Sequence, residues 1–152
     1  MKRDFFSSSP IQTKRLGKKI AREVLRRKLQ KTAFVLGLRG ELGSGKTTFL
    51  QGFAKGLGIR EKILSPTFVI IKKFQVPSSK FQVFYHIDCY RIKKPKELFV
   101  LGFREIISNP QNIVAIEWAE KVKKLLPKTT LWLKFDFIDE KTRRIIIKNF
   151  QV

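Results

Sequence analysis

Eight consecutive residues, Gly40-Glu41-Leu42-Gly43-Ser44-Gly45-Lys46-Thr47, fit the pattern G-x-x-x-x-G-K-S/T without a mismatch. The chemistry this points to is phosphate binding. The chain must turn sharply from a strand into a helix and aim successive backbone N–H groups inward. Gly40, Gly43 and Gly45 permit that turn and the close approach of a phosphate. The helix that follows offers its N-terminal N–H groups and dipole. Lys46 can reach the β- and γ-phosphates as a point charge, and the Thr47 hydroxyl can ligate Mg²⁺. At ordinary residue frequencies the pattern arises by chance in roughly one 150-residue chain in a few hundred. Here a buried-strand pattern precedes it and a helix pattern follows, as the mechanism requires. The expectation is nucleoside triphosphate binding.

A phosphate loop that hydrolyses also needs acid at the end of a neighbouring buried strand. The chain holds only 12 Asp and Glu, which narrows the search. Glu117 ends the apolar run Ile113-Val114-Ala115-Ile116, where a metal-holding carboxylate belongs. A Glu there, with no acid just before it, departs from the usual strand-ending Asp. Asp88 ends a second run, His86-Ile87-Asp88-Cys89-Tyr90-Arg91, and can bind the ion through water or orient an attacking water. Ser65-Pro66-Thr67 leads into a strand, and its hydroxyls and fixed Pro suit a γ-phosphate-sensing loop, although S-P-T is also an ordinary turn. His86 has no second His or Cys in a ligand pattern and reads as a structural or hydrogen-bonding residue. Cys89 reads as inert and half-buried. Trp118 and Trp132 read as packing residues.

These groups need positioning elements. Ser9-Pro10-Ile11-Gln12 reads as a capped helix start, and the helix is expected to run to about Lys31. Leu16, Ile20 and Val24, with Ala21, Leu25 and Leu29, form its apolar stripe. Ala33–Arg39 suits a buried strand, and 45–57 a helix stopped by Gly58. Strands are expected over 67–76 and 81–87 as an antiparallel hairpin. A short helix is expected over 95–101, a buried strand over 112–117 and a short helix to about Leu125. A second hairpin, 131–138 and 143–150, turns at Asp139-Glu140-Lys141-Thr142. With no internal repeat or flexible linker, residues 1–152 read as one three-layer α/β domain of phosphate-loop type with a mixed parallel/antiparallel sheet.

Composition bounds the class. An apolar share of 43% with 14 Phe is that of a folded globule. A single Cys rules out a disulfide within the chain and a multi-cysteine zinc site. No apolar run approaches the roughly 20 residues that span a bilayer, and the N-terminus lacks the apolar core of a secretory signal. The expectation is a soluble cytoplasmic protein with no membrane partner. The net charge of +21 is the loudest compositional feature. Residues 1–32 carry 11 basic and two acidic residues, so nearly half of the excess lies on the first fifth of the chain. That is either a polyanion-facing surface or compositional bias on a solvated one.

Taken together and in order, G-E-L-G-S-G-K-T-T, S-P-T-F, H-I-D-C-Y-R and the strand ending in E-W resemble the TsaE (YjeE) family of small bacterial P-loop ATPases, over essentially the whole chain. The resemblance implies ATP and Mg²⁺ as cofactors and a place in threonylcarbamoyladenosine modification of tRNA. It implies slow ATP hydrolysis stimulated by the partners TsaD and TsaB, with tRNA met through their complex. The threonylcarbamoyl transfer itself belongs to those partners. By matching positions, Gly40 to Thr48 bind ATP, with Lys46 on the phosphates. Thr47 and Glu117 hold Mg²⁺, Asp88 serves hydrolysis, and Ser65, Pro66 and Thr67 form a switch-like loop. Thr13, in the Pro10–Thr13 region, lies by the adenine, and Lys141, Arg143 or Arg144 of the last hairpin touches nucleotide. Two departures stand out: Ala119 where the family often has Pro, and the heavy basic load. Outside the resemblance, a small-molecule kinase on the same loop or a basic RNA-binding module are the alternatives.

Overall fold

The computed structural model describes residues 2–64 and 70–149. Its frame is a mixed sheet. β2 (Phe34–Arg39) lies at the centre, parallel to β5 (Asn112–Glu117) on one side and to β6 (Leu131–Phe137) on the other. β4 (Val83–Asp88) runs parallel to β5. The margins are antiparallel: β3 (Ile71–Gln75) on β4, and β1 (Lys2–Ser7) on β7 (Arg143–Lys148), which pairs with β6. Among the described residues the order is β1-β7-β6-β2-β5-β4-β3.

Alternation along the central strands builds a core on each face. Phe34, Leu36 and Leu38 of β2 and Ile113 and Ala115 of β5 face α1 (Pro10–Arg26) and α2 (Lys46–Gly56). Val35, Val114 and Ile116 face the other way. They are covered there by α3 (Phe103–Ser108) and two 3₁₀ segments, Pro95–Leu101 and Ala119–Leu125. Strands buried on both faces read as continuous apolar runs, which is why β2 and β5 stand out in the sequence. The result is a three-layer α/β fold. Among the described residues no helix is long and apolar enough to cross a membrane.

α1 and α2 pack in close contact because glycines line the seam. A Cβ at Gly17 would overlap the Phe49 carbonyl, and one at Gly52 would overlap the Lys14 carbonyl. This packing couples the start of α1 to the phosphate-loop helix.

Several expectations need correction. α1 stops at Arg26 rather than near Lys31. Arg27 turns to an extended conformation, its guanidinium sits 5.2 Å from the Phe34 ring centroid, and its carbonyl accepts from the Lys80 ammonium. These tertiary contacts override helix propensity, and Leu29 ends exposed rather than on the apolar stripe. The Ser9 cap forms, with its Oγ accepting from Gln12 N at 3.2 Å, but Gln12 Oε1 accepts from Ser8 N, not Ser9 N. The expected helices 95–101 and 119–125 are 3₁₀. β1 and α3 are unanticipated elements. β3 ends at Gln75, β4 is shifted to Val83–Asp88, β6 stops at Phe137 and β7 stops at Lys148, while 67–69 of the first hairpin and 150 of the second lie outside the described residues.

Candidate functional site

β2 delivers the chain to Gly40, where φ is +148° and a Cβ would stand 2.6 Å from the Phe135 carbonyl oxygen. The loop ends at Gly45, the N-cap of α2, with φ +103°. Among the described residues no side chain caps this helix, which leaves its first N–H groups available to an anion.

Lys46 begins α2 and is buried. Its ammonium donates to the carbonyls of Gly40 and Glu41 and lies 4.2 Å from the Trp118 ring centroid. Burial pulls its pKa below the ordinary lysine value, and Glu117, Glu120, Asp88 and Glu41 oppose that shift by their charge. Thr47 Oγ1 stands 3.4 Å from Glu117 Oε1. Glu117 and Asp88 are register partners at the carboxyl ends of β5 and β4, both buried on the α2 side. Asp88 Oδ1 accepts from the Tyr90 N–H at 2.9 Å. Behind Glu117, fully buried His86 places Nε2 2.6 Å from Oε2.

Lys46, Thr47, Asp88 and Glu117 open on a cavity of about 670 Å³. Its walls include Leu42 to Thr48, Asp88, Glu117, Ser7 to Pro10 and Thr13. Thr13 Oγ1 is 2.7 Å from Ser7 Oγ, so the start of α1 and the end of β1 meet here. Lys141 and Arg143 line the far wall, whereas Arg144 turns to the opposite sheet face and pairs with Asp4 at 2.9 Å. Of the three basic residues left open by the sequence, two therefore face the cavity. The turn that carries Lys141 is pinned by Asp139, whose carboxylate accepts from Lys141 N and Thr142 N. Those two bonds hold the Asp139 carboxyl below its usual range.

Placement differs from expectation at a few positions. Gly40 and the exposed Glu41 do not line the cavity; their carbonyls engage Lys46 instead. Trp118 is more than a packing residue. It lines the cavity in a left-handed conformation (φ +58°), with its ring 5.3 Å from that of Tyr90. Cys89 is fully rather than half-buried, and burial pushes its thiol pKa up to about 12. Ser65, Pro66 and Thr67 lie outside the described residues. Ser7 and Glu140 line the cavity without any sequence motif to mark them; Tyr90 also lines it, inside the run His86–Arg91 but with no role of its own expected there.

The donor set fits the expected ligands. Ser44 lines the cavity, and its Oγ is buried without a partner among the described residues. An anion with several oxygens would satisfy it. Thr47 and Glu117 offer hard oxygen, the type Mg²⁺ takes, but only two ligands. Among the described residues no group of three or more His, Cys, Asp or Glu is assembled to cage an ion. That matches an ion completed by phosphate oxygens and water rather than a protein-only site.

Known proteins share this fold and much of this sequence. A structure described as a crystal structure of Bacillus subtilis YdiB superposes with a TM-score of 0.75 at 30% identity, covering 97% of this chain and 84% of that one. Two proteins named tRNA threonylcarbamoyladenosine biosynthesis protein TsaE are similar in sequence. The one from Haemophilus influenzae is 34% identical over 126 residues, 83% of this chain and 77% of its own. The one from Bacillus subtilis is 38% identical over 123 residues, 81% of this chain and 70% of its own. The family model for threonylcarbamoyl adenosine biosynthesis protein TsaE matches residues 7–145, from the serine beside Thr13 to the last hairpin, and the chain belongs to that family.

Proposed function

We propose that this protein is an ATP-binding, ATP-hydrolysing component of the pathway that places threonylcarbamoyl on tRNA adenosine. In this reading it works in the cytoplasm beside TsaD and TsaB and leaves group transfer to them. The observation that carries the reading is the convergence of Lys46, Thr47, Asp88 and Glu117 at the carboxyl ends of three parallel strands, where such sheets bind ligands. Family membership and the names of the relatives supply the pathway.

Lys46 leaves the loop carbonyls and meets the β- and γ-phosphates, while the uncapped start of α2 takes the remaining charge. Ser7, Pro10 and Thr13 present the polar end of α1 to the nucleoside, and Lys141 with Arg143 closes the opposite side. Thr47 and Glu117 would hold Mg²⁺, which when bound neutralises charge across the β- and γ-phosphates. Asp88 holds the attacking water in line and accepts its hydrogen bond.

The deciding experiment is ATP turnover by wild type and Lys46→Ala, each with and without the TsaB–TsaD complex. Slow turnover that rises with the partners and collapses in the variant is expected. Equal turnover with and without partners would overturn the accessory role, and γ-phosphate passed to a small molecule rather than water would favour a kinase.

A further inference from the structure

His86 is the one histidine of the chain, and no step above uses it. It is 0% exposed, on β4 two residues before Asp88 and on the same sheet face. Its Nε2 lies 2.6 Å from Glu117 Oε2, while the other Glu117 oxygen, Oε1, is the one 3.4 Å from Thr47. The carboxylate is thus gripped from behind through one oxygen and presented through the other. An ionised carboxylate only accepts, so the hydrogen bond assigns the proton to Nε2. The other nitrogen, Nδ1, has no partner among the described residues. A buried acceptor left empty costs less than a buried N–H left empty, which selects the same tautomer.

We propose that His86 is a positioning residue that holds Glu117 with Oε1 aimed at the Thr47 hydroxyl, so setting the affinity of the nucleotide-loaded site for a divalent cation. The proposal rests on the reading of Thr47 and Glu117 as the cation's protein ligands. Without the bond, a Glu side chain at the end of β5 regains its rotamers and the two oxygens lose their distinct roles. Partners of this kind, one shell behind the ligand, typically govern about 10–100-fold in metal affinity.

The geometry makes the test specific to one ring nitrogen. A Gln amide nitrogen sits as many bonds from Cβ as Nε2 does, whereas an Asn amide nitrogen sits where Nδ1 does. His86→Gln should keep the grip on Glu117, and His86→Asn and His86→Leu should lose it. The probe is Mn²⁺, followed by electron paramagnetic resonance on protein loaded with a non-hydrolysable ATP analogue. Analogue affinity in EDTA and thermal unfolding are measured alongside.

The expected result is a half-saturating Mn²⁺ concentration raised about 10–100-fold in the Asn and Leu variants and within about threefold of wild type in the Gln variant. Metal-free nucleotide affinity should be unchanged throughout. Equal Mn²⁺ affinity in all four proteins would overturn the proposal. So would parallel losses of metal-free nucleotide affinity and melting temperature in Gln and Asn alike, which mark a purely structural histidine. If wild type with analogue shows no nucleotide-dependent Mn²⁺ binding, the site reading itself falls, and the proposal with it.

Discussion

Asp88 and Glu117 are direct register partners at the ends of two parallel strands, yet their carboxylates are held by different groups. Glu117 is fixed by His86 and faces Thr47; Asp88 accepts from the Tyr90 backbone N–H at 2.9 Å. Two acids side by side thus have two separate orientations, one toward α2 and one toward the turn that follows β4. That separation is what a division between cation binding and water orientation requires.

Asp88→Asn tests the second role. The amide oxygen still accepts from Tyr90 N, so the turn survives while the charge goes. We expect nucleotide binding to be unchanged or slightly tighter and ATP turnover to fall by about 10²-fold or more, the scale of a positioned acid–base group. Binding by calorimetry and single-turnover hydrolysis separate the two effects. Lost binding with an intact melting curve would assign Asp88 to the ligand rather than to the water.

Lys46→Ala tests the loop. A charge-assisted contact contributes about 1.5–3 kcal/mol, so ATP affinity should fall by about 10–100-fold. The pH dependence has a definite sign. Burial lowers the pKa of Lys46, so in the free protein its charge is lost at a lower pH than an ordinary lysine's. ATP affinity should therefore decline as pH rises, beginning below the usual lysine range, and the Ala variant should lack that decline. Isothermal titration at a series of pH values reads both.

The parts of this site visible in the sequence are those where local pattern and chemistry coincide. The loop 40–47 carries its own turn residues, and β5 matches its expected bounds, Asn112–Glu117, because a strand buried on both faces is apolar throughout. β1 was not legible. Its three inward positions are Arg3, Phe5 and Ser7, too few apolar residues to show period 2, and its partner strand lies some 140 residues away. Yet β1 brings Ser7 to Thr13 and so forms one wall of the cavity. The choice among Lys141, Arg143 and Arg144 likewise depended on the register of β7 against β6, which fixes which side chains face α1 and which face away. The place of Trp118 at the cavity was hidden for a similar reason, since a tryptophan after a strand signals packing until the ring is seen beside Lys46.

Gly52→Ala sets two magnitudes against each other. In an exposed helix interior the substitution would stabilise by about 1 kcal/mol through helix propensity. Here a Cβ would overlap the Lys14 backbone, and overpacking costs about 1–3 kcal/mol or more. Backbone cannot swing aside as a side chain can, so the net sign should be destabilising, with a lower urea midpoint. Because α2 begins at Lys46, the same shift should weaken ATP binding. A stabilised variant would mean that the α1–α2 seam is looser than this packing requires.

Cys89 offers a test that does not involve the nucleotide. It sits one residue beyond Asp88, inside the core between the sheet and the short helical segments. Burial is the main cause that raises its thiol pKa to about 12, and the charge of Asp88 adds to it. The thiolate is the nucleophile, so at pH 8 native Cys89 should resist iodoacetamide although an unperturbed thiol would already be partly ionised. The linkage has the matching sign. A thiol whose folded pKa is raised contributes stability that is fully present below the unfolded value, near 8.5, and is lost as pH climbs toward 12. Alkylation measured by mass spectrometry at pH 8 should therefore be slow in buffer and fast in denaturing urea. Equal rates in the two would show that the segment after β4 opens readily, and would undercut the fixed placement of Asp88 on which the water-orienting role depends.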